Sequence, residues 1–161
     1  MIFKYKGQLY PDYIKNGNAC AHVLPFAQQF CHGDGLDIGG TKEWCFPSAK
    51  TINIDQANGY DALNLPDEKY DFIFSSHTLE HVEKYVQALE HWKTRLKRGG
   101  VLFMYLPHPD MEYWRPQNNR KHAHLFHPAD MKQTLADLGF ENILCSGRDL
   151  YWSFAIVGFN H

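Results

Sequence analysis

Four features are scarce or missing in this chain, and each absence narrows what it can be. Cysteine is sparse: Cys20, Cys31, Cys45 and Cys145 are widely spaced and form no CxxC pair, which excludes a zinc-knuckle pattern and a disulfide framework and leaves reduced thiols. No hydrophobic run approaches the length of a bilayer span, and the start, MIFKYKGQLYPDY, lacks the uninterrupted apolar core of a signal peptide. The expectation is a soluble, cytoplasmic protein with no membrane partner. Charge of one sign is also missing: the formal net charge is −2. A nucleic-acid partner is therefore not indicated, although Lys93 to Arg98 and Arg115 to His122 are locally basic. Internal repeats and low-complexity tracts are absent.

What remains is a chain of 161 residues, 44% hydrophobic and 15% aromatic, enough for one domain with one sizeable core. Its most informative stretch is YDFIFSSHTLEHV, Tyr70 to Val82. Tyr70, Phe72, Ile73 and Phe74 read as a strand in the middle of a parallel sheet. If a helix begins by His77, then His77, Glu80 and His81 share one of its faces, just beyond the carboxyl end of that strand. In open α/β sheets ligands bind at that edge.

Around this stretch the order of elements reads as α/β. Residues 1–34 form a preamble or cap, with a helical segment over Ala19 to Phe30 that Pro25 is placed to open, packed across the site or the sheet edge. Gly35 to Gly40 is a short strand ending in glycines, and Thr51 to Asp55 a second strand ending in a carboxylate. A shorter element covers Tyr60 to Leu65. After Tyr70 to Ser76, an apolar stripe at Val82, Val86, Leu89, Trp92 and Leu96 predicts one helix ending at Arg98-Gly99-Gly100. Val101 to Leu106 is a buried strand. Residues 107–128, with four prolines, have no period and read as a substrate loop. A helix over Ala129 to Leu138 and an antiparallel pair near Glu141 to Cys145 and Tyr151 to Phe159 complete the chain.

Taken in order, GLDIGG, INID, DALNLP, YDFIFSSHTLEHV and LKRGGVLFMYLP resemble the class I S-adenosylmethionine-dependent methyltransferases of the small-molecule type, with an abridged N-terminal half. The resemblance implies a Rossmann-like fold with a seven-stranded, mostly parallel sheet and an antiparallel last strand. It implies S-adenosylmethionine as cofactor, with Asp61 and Ala62 flanking the adenine and the Ser75-Ser76 backbone beside the methionyl part. From their positions, Gly39, with Gly40 after it, permits close approach of the backbone. Asp37 organises that loop or holds the ligand's ammonium, and Asp55 can accept hydrogen bonds from both ribose hydroxyls. Thr41 and Glu43 stand where the fuller glycine pattern has glycine.

The expected activity is methyl transfer to a small-molecule acceptor, an oxygen nucleophile such as a sugar or another metabolite. Such an acceptor needs a proton removed, for which histidine is suited; His77 is the first candidate, then His108 and His124. The same residues admit a divalent metal bound by His77, Glu80, His81 and His124, three imidazoles and a carboxylate, or else a capping acid beside packed histidines. Trp92 belongs to the core, while Tyr113 and Trp114 either stack on the acceptor or pin the loop. Two other functions fit the pattern less well. A catalytically silent cofactor-binding or partner-binding domain is one. A nicotinamide-dependent oxidoreductase is the other, disfavoured because no convincing GxGxxG is present.

Overall fold

The structure is a computed structural model and describes residues 1–56 and 58–161. Its centre is a six-stranded sheet, whose strands are β3 (Gly35–Ile38), β4 (Lys50–Ile52), β5 (Tyr70–Ser76), β6 (Leu96–Pro107), β7 (Glu141–Cys145) and β8 (Ser153–Asn160). Their spatial order is β4-β3-β5-β6-β8-β7. The first four run parallel, β8 is antiparallel to β6, and β7 is antiparallel to β8. The expected antiparallel final pair is present. The sheet has six strands where seven were expected, because Tyr60 to Leu65 contributes only an isolated bridge between Asp61 and Asn64. There the Asp61 carboxylate accepts the Leu63 N–H at 2.8 Å, a local turn that competes with strand pairing.

Alternation along the inner strands sends their side chains to opposite faces, and both faces are covered. Ile73, Leu102, Met104 and Ile156 meet Leu89 and Trp92 of α3 (Tyr85–Arg95) and Met131 and Leu135 of α4 (Pro128–Asp137). Phe72, Phe74, Phe103 and Val157 meet Val23 and Ala27 of α2 (Cys20–Ala27) and Phe46. Pro25 lies inside α2 rather than at its start. Trp92 is a core residue with no exposed surface.

The helix expected from His77 to Gly100 is shorter at both ends. His77 has φ +48°, in the left-handed region, so the chain cannot enter a right-handed helix there. A single 3₁₀ turn follows at Leu79–His81, and α3 begins at Tyr85. At the far end Leu96 already belongs to β6 and pairs with Tyr70. Val86 is 40% exposed, leaving Ala88, Leu89 and Trp92 as the buried stripe.

The N-terminal segment forms a hairpin of β1 (Ile2–Tyr5) and β2 (Gln8–Pro11), then the single turn α1 (Tyr13–Asn16). Tyr10 and Ile14 pack against Met111 and Trp114 of the 107–128 segment. Among the described residues no helix is long and apolar enough to cross a membrane.

Candidate cofactor and acceptor site

Two cavities open at the carboxyl ends of β3, β4 and β5 and share Gly39, His77, Thr78 and His81. The first, of about 300 Å³, is bounded by Asp37, Gly40, Ser76, Glu80 and His122 and by Tyr13, Asn18, Trp44 and Trp114. The second, of about 460 Å³, is bounded by Ile38, Asn53, Ile54, Asp61, Ala62, Leu63 and Val82. They form one bent trough, polar at one end and apolar at the other.

The loop after β3 is set by its own packing. Gly39 has φ +94°, and a Cβ there would collide with the Thr78 side chain, so glycine is required by the protein before any ligand arrives. Asp37 is 2% exposed, and its Oδ2 accepts the Phe46 N–H at 2.6 Å. Burial pushes its carboxyl up to about 7. The Asn53 side-chain amide donates to the Gly39 and Gly40 carbonyls, each at 3.4 Å. Asp55 is exposed and borders neither cavity; Asn53 and Ile54 occupy that wall instead. Ser75 also borders neither, because it is buried with its hydroxyl donating to the Ile38 carbonyl at 2.9 Å. Ser76 does face the first cavity.

The second cavity is held from behind by α3. Trp92 Nε1 donates to the Ala62 carbonyl at 2.7 Å, and His91 Nε2 accepts the Leu65 N–H at 3.0 Å. The loop of Asp61 and Ala62 therefore rests on two side chains of a buried helix face.

His77 stands where the cavities meet. Its backbone N–H donates to the Tyr105 carbonyl at 2.8 Å, and its ring meets Trp114 edge to face at a centroid distance of 4.7 Å. The Ser153 hydroxyl lies 2.9 Å from His77 Nε2 and 3.3 Å from the Tyr151 carbonyl, so Nε2 is the ring nitrogen tied to the protein. Burial drives the ring down to about 3, so His77 is neutral across the physiological range.

The expected histidine and carboxylate set is brought together only in part. Glu80 and His81 are adjacent, but the loop histidine beside them is His122: one ligand atom from each of these three residues lies within 4.8 Å of the others. His124 instead directs Nε2 to the Val82 and Glu83 carbonyls at 2.8 and 3.0 Å and borders a separate hollow with Tyr85 and Phe126. His77 engages Ser153 rather than this cluster. His108 borders neither half of the trough; its ring faces Asp110 at 3.5 Å and Phe154 edge-on. Sequence reasoning missed His122, Asn53, Thr78 and Trp44. Only His122 carried a signal, as the other histidine of HAH, and nothing in an aperiodic loop distinguishes it from His124.

The trough fits the cofactor that the sequence suggested. Ile54 is 81% and Leu63 40% exposed on the apolar wall, a surface that a flat heterocycle would cover, with Asp61 at its edge. At the polar end the buried Ser76 Oγ has no hydrogen-bond partner among the described residues, and Asp37 offers a carboxylate to an ammonium group.

Comparison with known proteins agrees with this arrangement. The family described as a methyltransferase domain matches residues 15–144. An S-adenosylmethionine-dependent methyltransferase of Thermotoga maritima superposes with a TM-score of 0.69 at 17% identity, covering 92% of this chain and 93% of that one. One from Archaeoglobus fulgidus superposes at 0.65 and 17% identity, covering 92% of this chain and 100% of the other. Human N-acetylserotonin methyltransferase, solved with S-adenosylmethionine, superposes at 0.58 and 15% identity, covering 79% of this chain and 47% of that chain. No curated protein matches the sequence. The fold is common to all three structures, and the match over residues 15–144 makes the chain a member of the methyltransferase-domain family, a class I S-adenosylmethionine-dependent methyltransferase.

Proposed function

We propose that this enzyme methylates an oxygen of a small, polar acceptor such as a sugar or a related metabolite. The observation that carries this reading is the position of His77 at the junction of the two cavities, with its Nε2 tied to Ser153 and its ring neutral. When bound, S-adenosylmethionine supplies a methyl group on a positively charged sulfur. Ile54, Ala62 and Leu63 would hold its adenine with Asp61, while Asp37, Gly39, Gly40 and Ser76 would hold its methionyl end. Tyr13, Trp44 and Trp114 wall the remaining part of the first cavity. Within it His77 Nδ1 accepts the hydrogen bond of the acceptor hydroxyl, orients the oxygen for in-line attack and takes up the hydroxyl proton as the new C–O bond forms and the C–S bond breaks.

Two measurements test the reading. S-adenosylhomocysteine at a hundred times its Kd should stabilise the protein by about 2.7 kcal/mol, raising Tm by roughly 5–10 °C for a domain of this size. A panel of polyhydroxylated and amine acceptors should then give methyl transfer to the hydroxylated members. Transfer confined to amines would overturn the oxygen assignment, and stabilisation without transfer to any acceptor would make the chain a silent cofactor-binding domain.

A further inference from the structure

Glu80 is the most conspicuous unexplained group in the fold. It has no exposed surface, yet neither carboxylate oxygen has a hydrogen-bond partner among the described residues. Burying a carboxyl group without partners is costly, and this one borders the first cavity. Beside it, His81 Nδ1–H donates to the Lys121 carbonyl at 2.6 Å, so the lone pair of the neutral ring is on Nε2. That nitrogen lies 3.7 Å from Glu80 Oε1. The two face each other at ion-pair distance without a hydrogen bond between them. A third donor, His122, is 7% exposed, and its Nδ1 is also unpartnered.

From this geometry we infer that Glu80, His81 and His122 form a binding site for one divalent transition-metal ion. A proton shared between Glu80 and His81 would satisfy two of the three donors; an ion satisfies all three. Ligand atoms around a four-coordinate ion with bonds near 2.0–2.2 Å lie about 3.3–3.6 Å apart, close to the 3.7 Å between Glu80 and His81. Two imidazoles and one carboxylate suit zinc, cobalt, iron or manganese rather than calcium or magnesium. The site is also built in advance. The Glu80 carbonyl accepts the Ala123 and His124 N–H groups at 2.7 and 3.2 Å, and Lys121 fixes the His81 ring. The loop carrying His122 is therefore fastened to the turn carrying the other two ligands, and an oriented second nitrogen is the usual support of a metal-bound histidine.

Three protein ligands leave at least one coordination position open. Because the site borders the first cavity, that position meets the acceptor's oxygen, a role that rests on the function proposed above. There the ion would lower the pKa of a bound hydroxyl, while His77 orients it.

The test uses the full chain without an affinity tag, stripped with chelator and titrated with Co²⁺ and Zn²⁺. One equivalent per chain is expected, with a visible cobalt spectrum of a low-coordinate N/O site. Glu80→Gln and His122→Ala should each weaken binding at least about tenfold, whereas His124→Gln should leave stoichiometry and spectrum unchanged. S-adenosylhomocysteine binding, measured without metal, reports whether each variant is folded and is independent of the ion. The inference is overturned if the wild-type chain binds no ion, or if Glu80→Gln and His122→Ala bind as wild type does. Failure to bind S-adenosylhomocysteine would count against the proposed reaction and leave the metal result standing.

Discussion

At the scale of single residues, three buried ionisable groups and the half-buried His77 pull stability in opposite directions. Burial raises Asp37 to about 7 and Glu80 to about 8, and lowers His77 to about 3 and His122 to about 4. Unfolded carboxyl groups release their protons near pH 4, so for Asp37 and Glu80 the folded state holds more protons and stability falls as pH rises toward their folded values. For the two histidines the unfolded chain takes up protons from about pH 6.5 downward while the folded chain does not, so stability falls as pH drops. The trends oppose each other between about pH 4 and 6.5, and above that only the carboxyl trend remains. Metal-free protein should therefore lose stability between about pH 6.5 and 8. Asp37→Asn, which keeps an acceptor for the Phe46 N–H, should make denaturant midpoints over that interval flatter. A wild-type midpoint that does not change there would contradict the burial argument.

His77 carries the second prediction at this scale. His77→Ala should lower kcat by about 10²–10⁴ through loss of the oriented hydrogen bond, with little effect on S-adenosylhomocysteine affinity. A small change in kcat would remove His77 from the reaction. Much of this region could be read in the chain: the glycines after β3, the acid before them and the histidine after β5 all border the trough. The left-handed backbone at His77 could not be read, since nothing local in SSHTLEHV demands φ +48°. Its consequence, Glu80 and His81 parting from His77, was hidden with it.

At the scale of elements, α3 does more than cover the sheet. Its buried face ends in His91 and Trp92, whose nitrogens hold the loop of Ala62 and Leu65. Trp92→Phe preserves an aromatic ring in the core but leaves the Ala62 carbonyl unpaired. A loss of about 1–3 kcal/mol is expected, or roughly 2–12 °C in Tm, together with a higher KM for S-adenosylmethionine. A stability loss with unchanged KM would show that the loop does not depend on this bond. The stripe that identified the helix was legible because burial follows the 3.6-residue period. Its limits were not, because Val82 and Leu96 continue the apolar spacing into neighbouring extended backbone, where tertiary pairing overrides helical preference. The absent seventh strand follows the same logic, with Asx-type turns at Asp61 displacing a pairing that the family resemblance implied.

At the scale of the whole molecule, the first cavity is assembled from segments far apart in sequence. Tyr13 and Asn18 come from the N-terminal segment, Trp114 and His122 from the 107–128 segment, and Ser76 from the end of β5. Among the described residues none of the hairpin of β1 and β2 borders the trough; Tyr10, with Phe3 and Tyr5, instead braces Met111 and Trp114 from behind. Deleting residues 1–11 should therefore raise KM for the acceptor more than for S-adenosylmethionine, and amide exchange should quicken in the 107–128 segment. Equal rises in both KM values would indicate general destabilisation instead. That these segments meet was legible only as the expectation that a preamble packs across the site; the partners within each aperiodic segment depend on tertiary contacts.

The position of β8 bears on how the protein is made. This strand follows the other five of the sheet in sequence, yet it lies inside the sheet, bonded to β6 on one side and β7 on the other. Until it has left the ribosome, the apolar edge of Val101 to Leu106 has no partner on that side, the sort of edge that invites association with other chains. Ser153 lies at the start of β8 and reaches back to His77 across 76 residues. Completion of the sheet and the fixing of His77 thus both wait for β8, and a nascent chain stalled before it would expose an adhesive edge while His77 lacked its partner.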